Sequence, residues 1–266
     1  MTNIRVFVAG ACGRMGSETV RTILQQQDMI LAGAADIYGQ GEDLGSLLGR
    51  EPFGVCLSLL DEQILRDIGP DILVDFTNPQ SVLANTKMAL RAGVVPVVGA
   101  TGLDEEDVRE LRELSQEVGI GAFIAPNFAL GASLMIRFAR EAAKFFSDVE
   151  IIEYHHDQKL DAPSGTALKT AEEIRKVRGS RLQGHPHEYE KLPGARGGDF
   201  DGIRVHAVRL PGMLAHQEVL FGGVGQTLSI RHDTYTRETY MPGVMLAIRR
   251  SRSLKDFVVG LENYLD

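Results

Sequence analysis

The first half of the chain alternates short apolar runs with longer stretches whose apolar residues recur at helical spacing. Ile4–Ala9 reads as a buried strand and Arg14–Gln27 as a helix; Met29–Ala35 is the next strand and ends at Asp36. Ile72–Phe76, Val94–Val98 and Ala122–Ala125 are three more apolar runs of strand length. Between them, Asn78 and Pro79 have the residue types of an N-cap and first helical position, predicting a helix to about Arg91. Asp104–Val118 is a further helix. Alternation at this spacing predicts βαβ units and a mostly parallel sheet. Residues 37–70 are less regular, and Gly39, Gly41, Gly45 and Gly49 predict a loop with one turn of helix.

Past residue 130 the pattern changes. Leu130–Phe146 has helical spacing, Val149–Tyr154 reads as a strand and Thr166–Val177 as an amphipathic helix. Residues 179–202, rich in Gly, Pro, His and charge, predict a long surface loop. Ile203–Leu210, His216–Phe221 and Thr227–Arg231 read as neighbouring, largely antiparallel strands, and Met241–Arg249 and Leu254–Leu265 as helices. The expected architecture is a doubly wound α/β domain over residues 1–129, rejoined by helices over 240–266, with a second α+β domain over 130–239. The alternation of Val205, Val208 and Leu210, and of Val219 and Phe221, suits a sheet face buried between subunits.

Composition narrows the function classes. Apolar residues make up 44% of 266 positions, enough for a full core, and the formal net charge of −8 argues against a nucleic-acid binder. The two cysteines, Cys12 and Cys56, form no disulfide framework. Met1 leads straight into the first strand, with no charged and apolar leader, and no apolar run approaches the ~20 residues that span a bilayer. A soluble, cytoplasmic protein is expected.

The first strand runs into Gly10-Ala11-Cys12-Gly13-Arg14-Met15-Gly16, a G-x-x-G-x-x-G loop opening a helix. Glycines there permit a tight turn, backbone approach to a pyrophosphate and close helix packing, and Asp36 stands where an acid meets an adenosine ribose. A βα turn with an ordinary surface aspartate is the plainer reading, but strand, loop, helix and terminal acid in register favour a dinucleotide. Asp36 repels a 2′-phosphate, and Ile37 and Tyr38 offer no cation, although Arg14 stands across the loop. NADH is therefore the expected cofactor, with NADPH left open. Two later strand ends, Gly99-Ala100-Thr101 and Ala125-Pro126-Asn127-Phe128, fall where ligands sit in open α/β sheets, and the Phe128 ring is expected against the nicotinamide. Cys12 reads as a small filler rather than a redox centre.

The segment from Glu153 to Ala167 concentrates acid–base chemistry. His155 and His156 are adjacent, so in a strand they point to opposite faces and do not share a metal; no ligand spacing suggests a metal site. Lys159 follows, with Asp161 to orient it or to cap the next turn. Ser164, Gly165 and Thr166 open a helix whose free N–H groups suit a carboxylate. His185 and His187 fall in the surface loop, and Arg237 is a further candidate for a substrate carboxylate.

The glycine loop, Ala125-Pro126-Asn127-Phe128 and the string His155-His156-Asp157-Gln158-Lys159-Leu160-Asp161-Ala162-Pro163-Ser164-Gly165-Thr166 together resemble the dihydrodipicolinate reductase family of lysine and diaminopimelate synthesis. The resemblance extends over essentially the whole chain, including Arg231-His232-Asp233 and Met241-Pro242-Gly243. It implies a Rossmann-type domain, a substrate domain whose sheet builds a homotetramer, and NAD(P)H-dependent reduction of 4-hydroxy-tetrahydrodipicolinate. It implies His155 as proton donor and acceptor, Lys159 as proton donor, and His156, Gly165 and Thr166 as the grip on a cyclic dicarboxylate. Gly10–Met15, Asp36, Gly99–Thr101 and Ala125–Phe128 would bind the dinucleotide. The chain departs from the pattern at Ala100, where the family often has threonine, and at Ile37, where some members carry an arginine that helps hold NADPH. Closure of the two domains is expected to bring substrate and nicotinamide together. An aspartate or homoserine dehydrogenase-like enzyme is the competing catalytic reading, and the second domain lacks the cysteine nucleophile it would need. An NADH-sensing binding protein is the non-enzyme reading, and no basic DNA-contacting domain is found.

Overall fold

The computed structural model describes residues 3–265; Met1 and Asp266, the outer bounds of the expected domains, lie outside them. Internal contacts divide the chain at Phe128/Ala129 and again at Thr239/Tyr240, so the first unit is built from both ends of the sequence.

In the first unit, β1 (Ile4–Ala9), β2 (Met29–Ala35), β3 (Leu57–Ser58), β4 (Ile72–Asp75), β5 (Val95–Val98) and β6 (Ala122–Ile124) are interleaved with α1 (Arg14–Ile23), α2 (Leu44–Leu47), α3 (Glu62–Ile68), α4 (Val82–Arg91) and α5 (Glu105–Val118). With a last strand from the C-terminal segment outside β6, they make a seven-stranded sheet in which every pair is parallel and β1 lies between β2 and β4. Phe7, Leu73 and Ala89 pack with Leu65 on one face, and Val98, Leu111 and Ile124 extend that layer. Central strands covered on both faces explain the unbroken apolar runs. Local chemistry sets the helix ends. Asp104 and Asp107 form a reciprocal capping box at the start of α5, and Gly119, in the left-handed region, ends it.

Four readings of this unit change. The first helix stops at Ile23, because Gln25 and Gln26 bond back only three residues and turn the chain toward β2. Asn78 caps a turn through Gln80 and Ser81, and α4 proper starts at Val82. Helix α3 was not expected inside residues 37–70, although Asp61 caps it and Gly69 closes it. Finally, Leu254–Leu265 is not a helix. The run Phe257–Val259 is a strand against β6, followed by a short 3-10 turn at Leu261–Tyr264.

In the second unit, α6 (Leu130–Ala142), β7 (Asp148–His155), α7 (Gly165–Arg178), β8 (Gly198–Phe200), β9 (Ile203–Arg209), β10 (Ala215–Gly223) and β11 (Gln226–Thr234) form one sheet and two helices. The strand order is β11-β10-β7-β9-β8. The expected adjacency of Ile203–Leu210 and His216–Phe221 is therefore corrected: β7 lies between them, parallel to β9 and antiparallel to β10. Val149 and Ile151 of β7, Val205, Val219 and Phe221 are buried against Met135, Ala139, Ala171 and Ile174 of α6 and α7. The alternation read as an intersubunit face is thus covered largely within the chain. The opposite face carries Ile152, Tyr154, Val208 and Leu220, all partly exposed, among charged residues. The chain then returns to the first unit through α8 (Met241–Ser251) and β12 (Phe257–Val259), Met241 meeting Thr19 and Arg249 pairing with Asp28. No helix among the described residues is long and apolar enough to cross a membrane.

Candidate active site

In the first unit, all the parallel strands deliver their carboxyl ends to one edge, and β1 has neighbours on both sides there. That is the crevice in which doubly wound sheets bind ligands. Gly10 turns the chain with φ +75°, and its N–H donates to the Ala35 carbonyl at 2.9 Å. A Cβ on Gly10 would lie 2.7 Å from the Phe76 carbonyl oxygen, and one on Gly16 would strike the Gly10 carbonyl, so loop and helix close against each other only with glycine at both places. Helix α1 starts at Gly13 without a capping side chain, leaving its first-turn amides for an anion. Asp36 turns back on the loop, where its Oδ2 accepts from the Cys12 amide at 2.9 Å and its Oδ1 from the Tyr38 amide. Gly10, Cys12, Gly13, Asp36, Ile37 and Tyr38 line one cavity of about 480 Å³. The glycine cradle, the uncapped helix start and the acid beside it fit a dinucleotide.

Phe76, Thr77 and Asn85 line the same cavity, and the sequence reading passed them over. Behind them the fully buried Asp75 accepts from the Thr77 hydroxyl and amide at 2.6 and 2.8 Å and from Asn85 at 2.9 Å. Burial pushes the Asp75 carboxyl up, against those hydrogen bonds. Gly99, Ala100, Thr101, Ala125, Pro126, Asn127 and Phe128 lie on the same strand-end edge but outside that cavity. The Gly99 and Ala100 amides both donate to the Asp75 carbonyl. Phe128 departs from expectation: its ring is 3% exposed and packed edge-on to Phe76 and Phe123, so it is a core side chain rather than a free platform. Cys12 has its thiol pushed up by burial and by Asp36 and Glu42, against a reactive thiolate.

In the second unit, β7 sets Val149, Ile151, Glu153 and His155 on one face, and His156 follows directly after the strand end. Glu153 is completely buried, and both its oxygens are saturated. Oε2 lies 2.5 Å from His155 Nδ1 and accepts from Arg209 Nη1 at 2.8 Å; Oε1 accepts from Arg209 Nη2 at 2.7 Å and from the Ser164 amide at 3.0 Å. Burial pushes the Glu153 carboxyl up, but hydrogen bonds from His155 and Arg209 and their charges outweigh it and bring it down to about 2. Arg209 also reaches the Asp161 carbonyl at 2.8 Å, and Lys159 Nζ holds Asp161 Oδ1 at 2.6 Å. Ser164 caps α7 through the Ala167 amide, so the Gly165 and Thr166 amides fall in the first turn beside this cluster. His155, Lys159, Gly165 and Thr166 are thus brought together. Glu153 and Arg209 are members of this candidate cluster to which sequence reasoning gave no role. Glu153 was legible as the residue two before His155 on a strand. Arg209, on β9, had no local signal. His185 and His187 are exposed in the loop, and Arg237 is exposed in a 3-10 turn after β11.

Comparison with known proteins agrees with both halves. Family models described as dihydrodipicolinate reductase, N-terminus, and dihydrodipicolinate reductase, C-terminus, match residues 4–128 and 131–265. The chain belongs to the dihydrodipicolinate reductase family. It is 62% identical to 4-hydroxy-tetrahydrodipicolinate reductase of Desulfitobacterium hafniense, over the full length of both chains. It is 53% identical to the reductase of the same name from Bacillus licheniformis, over 99% of this chain and 98% of that one. Among solved structures, a dipicolinate-bound dihydrodipicolinate reductase from Paenisporosarcina sp. TG-14 matches with a TM-score of 0.88 and 46% identity, covering 99% of this chain and all of the other.

Proposed function

We propose that the chain reduces the cyclic, conjugated imine dicarboxylate formed when 4-hydroxy-tetrahydrodipicolinate loses water, giving tetrahydrodipicolinate for lysine and diaminopimelate synthesis. A pyridine nucleotide, bound by Gly10–Met15 and Asp36, supplies the hydride, and NADH is the form proposed. Asp36 favours it by accepting from ribose hydroxyls and repelling a 2′-phosphate, while the exposed Ile37 and Tyr38 bring no cation. Gly99–Thr101 and Ala125–Phe128 contribute backbone groups at the same sheet edge.

Hydride addition at the far end of the conjugated system drives electron density toward the ring nitrogen, and one proton must then be supplied. His155 and Lys159 take that task, holding positive charge where negative charge develops and then donating. His156 and the Gly165 and Thr166 amides hold the two carboxylates, which the start of α7 favours. The observation that carries the reading is the joining of His155 to the α7 start through Glu153, which sets an acid–base group beside an anion seat. The experiment follows NADH oxidation with freshly made condensation product of aspartate semialdehyde and pyruvate. Turnover supports the assignment, and none with either cofactor overturns it. The chain is further read as a homotetramer using the partly exposed outer face of the β7–β11 sheet; light scattering on the eluted protein tests this.

A further inference from the structure

We propose that Glu153 is a positioning residue for the reaction: it fixes the orientation and tautomer of His155 and locks that ring to the substrate-holding helix start. The inference rests on the proton-transfer role given to His155 above. An ionised carboxylate only accepts hydrogen bonds. Glu153 is buried and held ionised by Arg209, so the proton in its 2.5 Å contact with His155 belongs to the histidine Nδ1. Nε2 is then the nitrogen that exchanges protons, and the ring cannot turn to present Nδ1 without leaving its partner.

The second oxygen does a different task. Glu153 Oε1 accepts from the Ser164 amide, and Ser164 is the cap of α7, whose next two residues are Gly165 and Thr166. One carboxylate therefore indexes the proton donor and the carboxylate seat to each other. The groups facing it are few. Arg209 comes from β9, and Lys159 and Asp161 from the following loop, already paired together at 2.6 Å. The residues of β10 in register with Glu153 and His155 are Gln217 and Ala215, neither titratable. Removing the Glu153 charge should thus act on His155 with little compensation.

Nitrogen-15 NMR of histidine-labelled wild-type protein, with His155 assigned by its loss in His155→Asn, should show the neutral ring carrying its proton on Nδ1 and none on Nε2. The opposite tautomer overturns the proposal, and this arm needs no Glu153 variant to fold. Glu153→Gln should lower kcat at least tenfold, leave the NADH Kd within twofold, and weaken the preference for the Nδ1-protonated tautomer of His155, because a neutral amide no longer holds that proton as a carboxylate does. Glu153→Asp should recover part of kcat. Added to His155→Asn, Glu153→Gln should cost no further kcat; an independent, multiplicative loss overturns the proposal. If His155→Asn itself turns over normally, the proton-transfer reading fails. If His155→Asn is impaired while Glu153→Gln leaves kcat and the His155 tautomer unchanged, that reading stands and this inference fails.

Discussion

Arg209 grips Glu153 with both terminal nitrogens, at 2.8 and 2.7 Å, across the parallel pair of β7 and β9. This bidentate geometry is the strong form of a carboxylate–guanidinium contact, and here the acid is wholly buried. Truncating one partner leaves a charge without compensation. Arg209→Met should destabilise the protein by about 3 kcal/mol, the low end for a broken buried pair because Arg209 keeps some solvent contact. Urea unfolding measures the loss; a change within experimental scatter would show that the pair is not needed.

The same carboxyl sets an acid limit. Its folded value, about 2, lies below the ordinary 4.5, so the stabilisation is complete above the unfolded value and is lost as pH falls from there through the folded one. A shift of this size corresponds to about 3 kcal/mol. Stability followed by denaturant titration should fall between pH 4.5 and 2, and Glu153→Gln should flatten that fall.

Lys159 is partly buried and pairs with the exposed Asp161 at 2.6 Å, and it carries the proton-donor role proposed above. Lys159→Ala should reduce kcat by at least about a hundredfold, a typical general-acid contribution, while NADH binding stays unchanged. His156→Ala should act mainly on substrate KM. Steady-state kinetics with a separate NADH titration reads both; normal turnover by Lys159→Ala ends its proposed role.

Gly16 has no room for a methyl group, although alanine favours helices. Gly16→Ala should keep its circular dichroism spectrum and weaken NADH about tenfold or more, by pushing the Gly10 carbonyl and the loop away from the pyrophosphate position. Calorimetric titration decides; unaltered affinity would place the nucleotide elsewhere.

Ile37 is 67% exposed next to Asp36, and neither it nor Tyr38 carries a cation. Ile37→Arg should raise kcat/KM for NADPH relative to that for NADH, since a guanidinium there can meet a 2′-phosphate. Measuring both cofactors on both proteins checks this, and a wild-type preference for NADPH would overturn the reading of Asp36.

The parallel sheet was legible because strands such as β1 and β4 are buried on both faces and read as continuous apolar runs. The G-x-x-G-x-x-G loop and the His155–Thr166 string were equally legible, since their chemistry is local in sequence. What was missed depends on distant partners. Phe257–Val259 becomes a strand because the β6 edge receives it, which its own spacing does not announce. The β7–β9 pairing joins segments separated by a helix and a long loop, and Arg209 acquires its meaning only through that pairing. Phe128 sits at a strand end, yet Phe76 and Phe123 enclose its ring.

The position of β12 bears on how the protein is made. Synthesis supplies β6 well before its outer neighbour, with all of the second unit emerging in between. Until α8 and β12 have emerged, the nucleotide-binding sheet has an open hydrogen-bonding edge at β6 and lacks the helix that covers Thr19. Such an edge can pair with another nascent chain. The first unit therefore starts first but finishes last, and its vulnerable interval is set by the time needed to translate everything between β6 and β12.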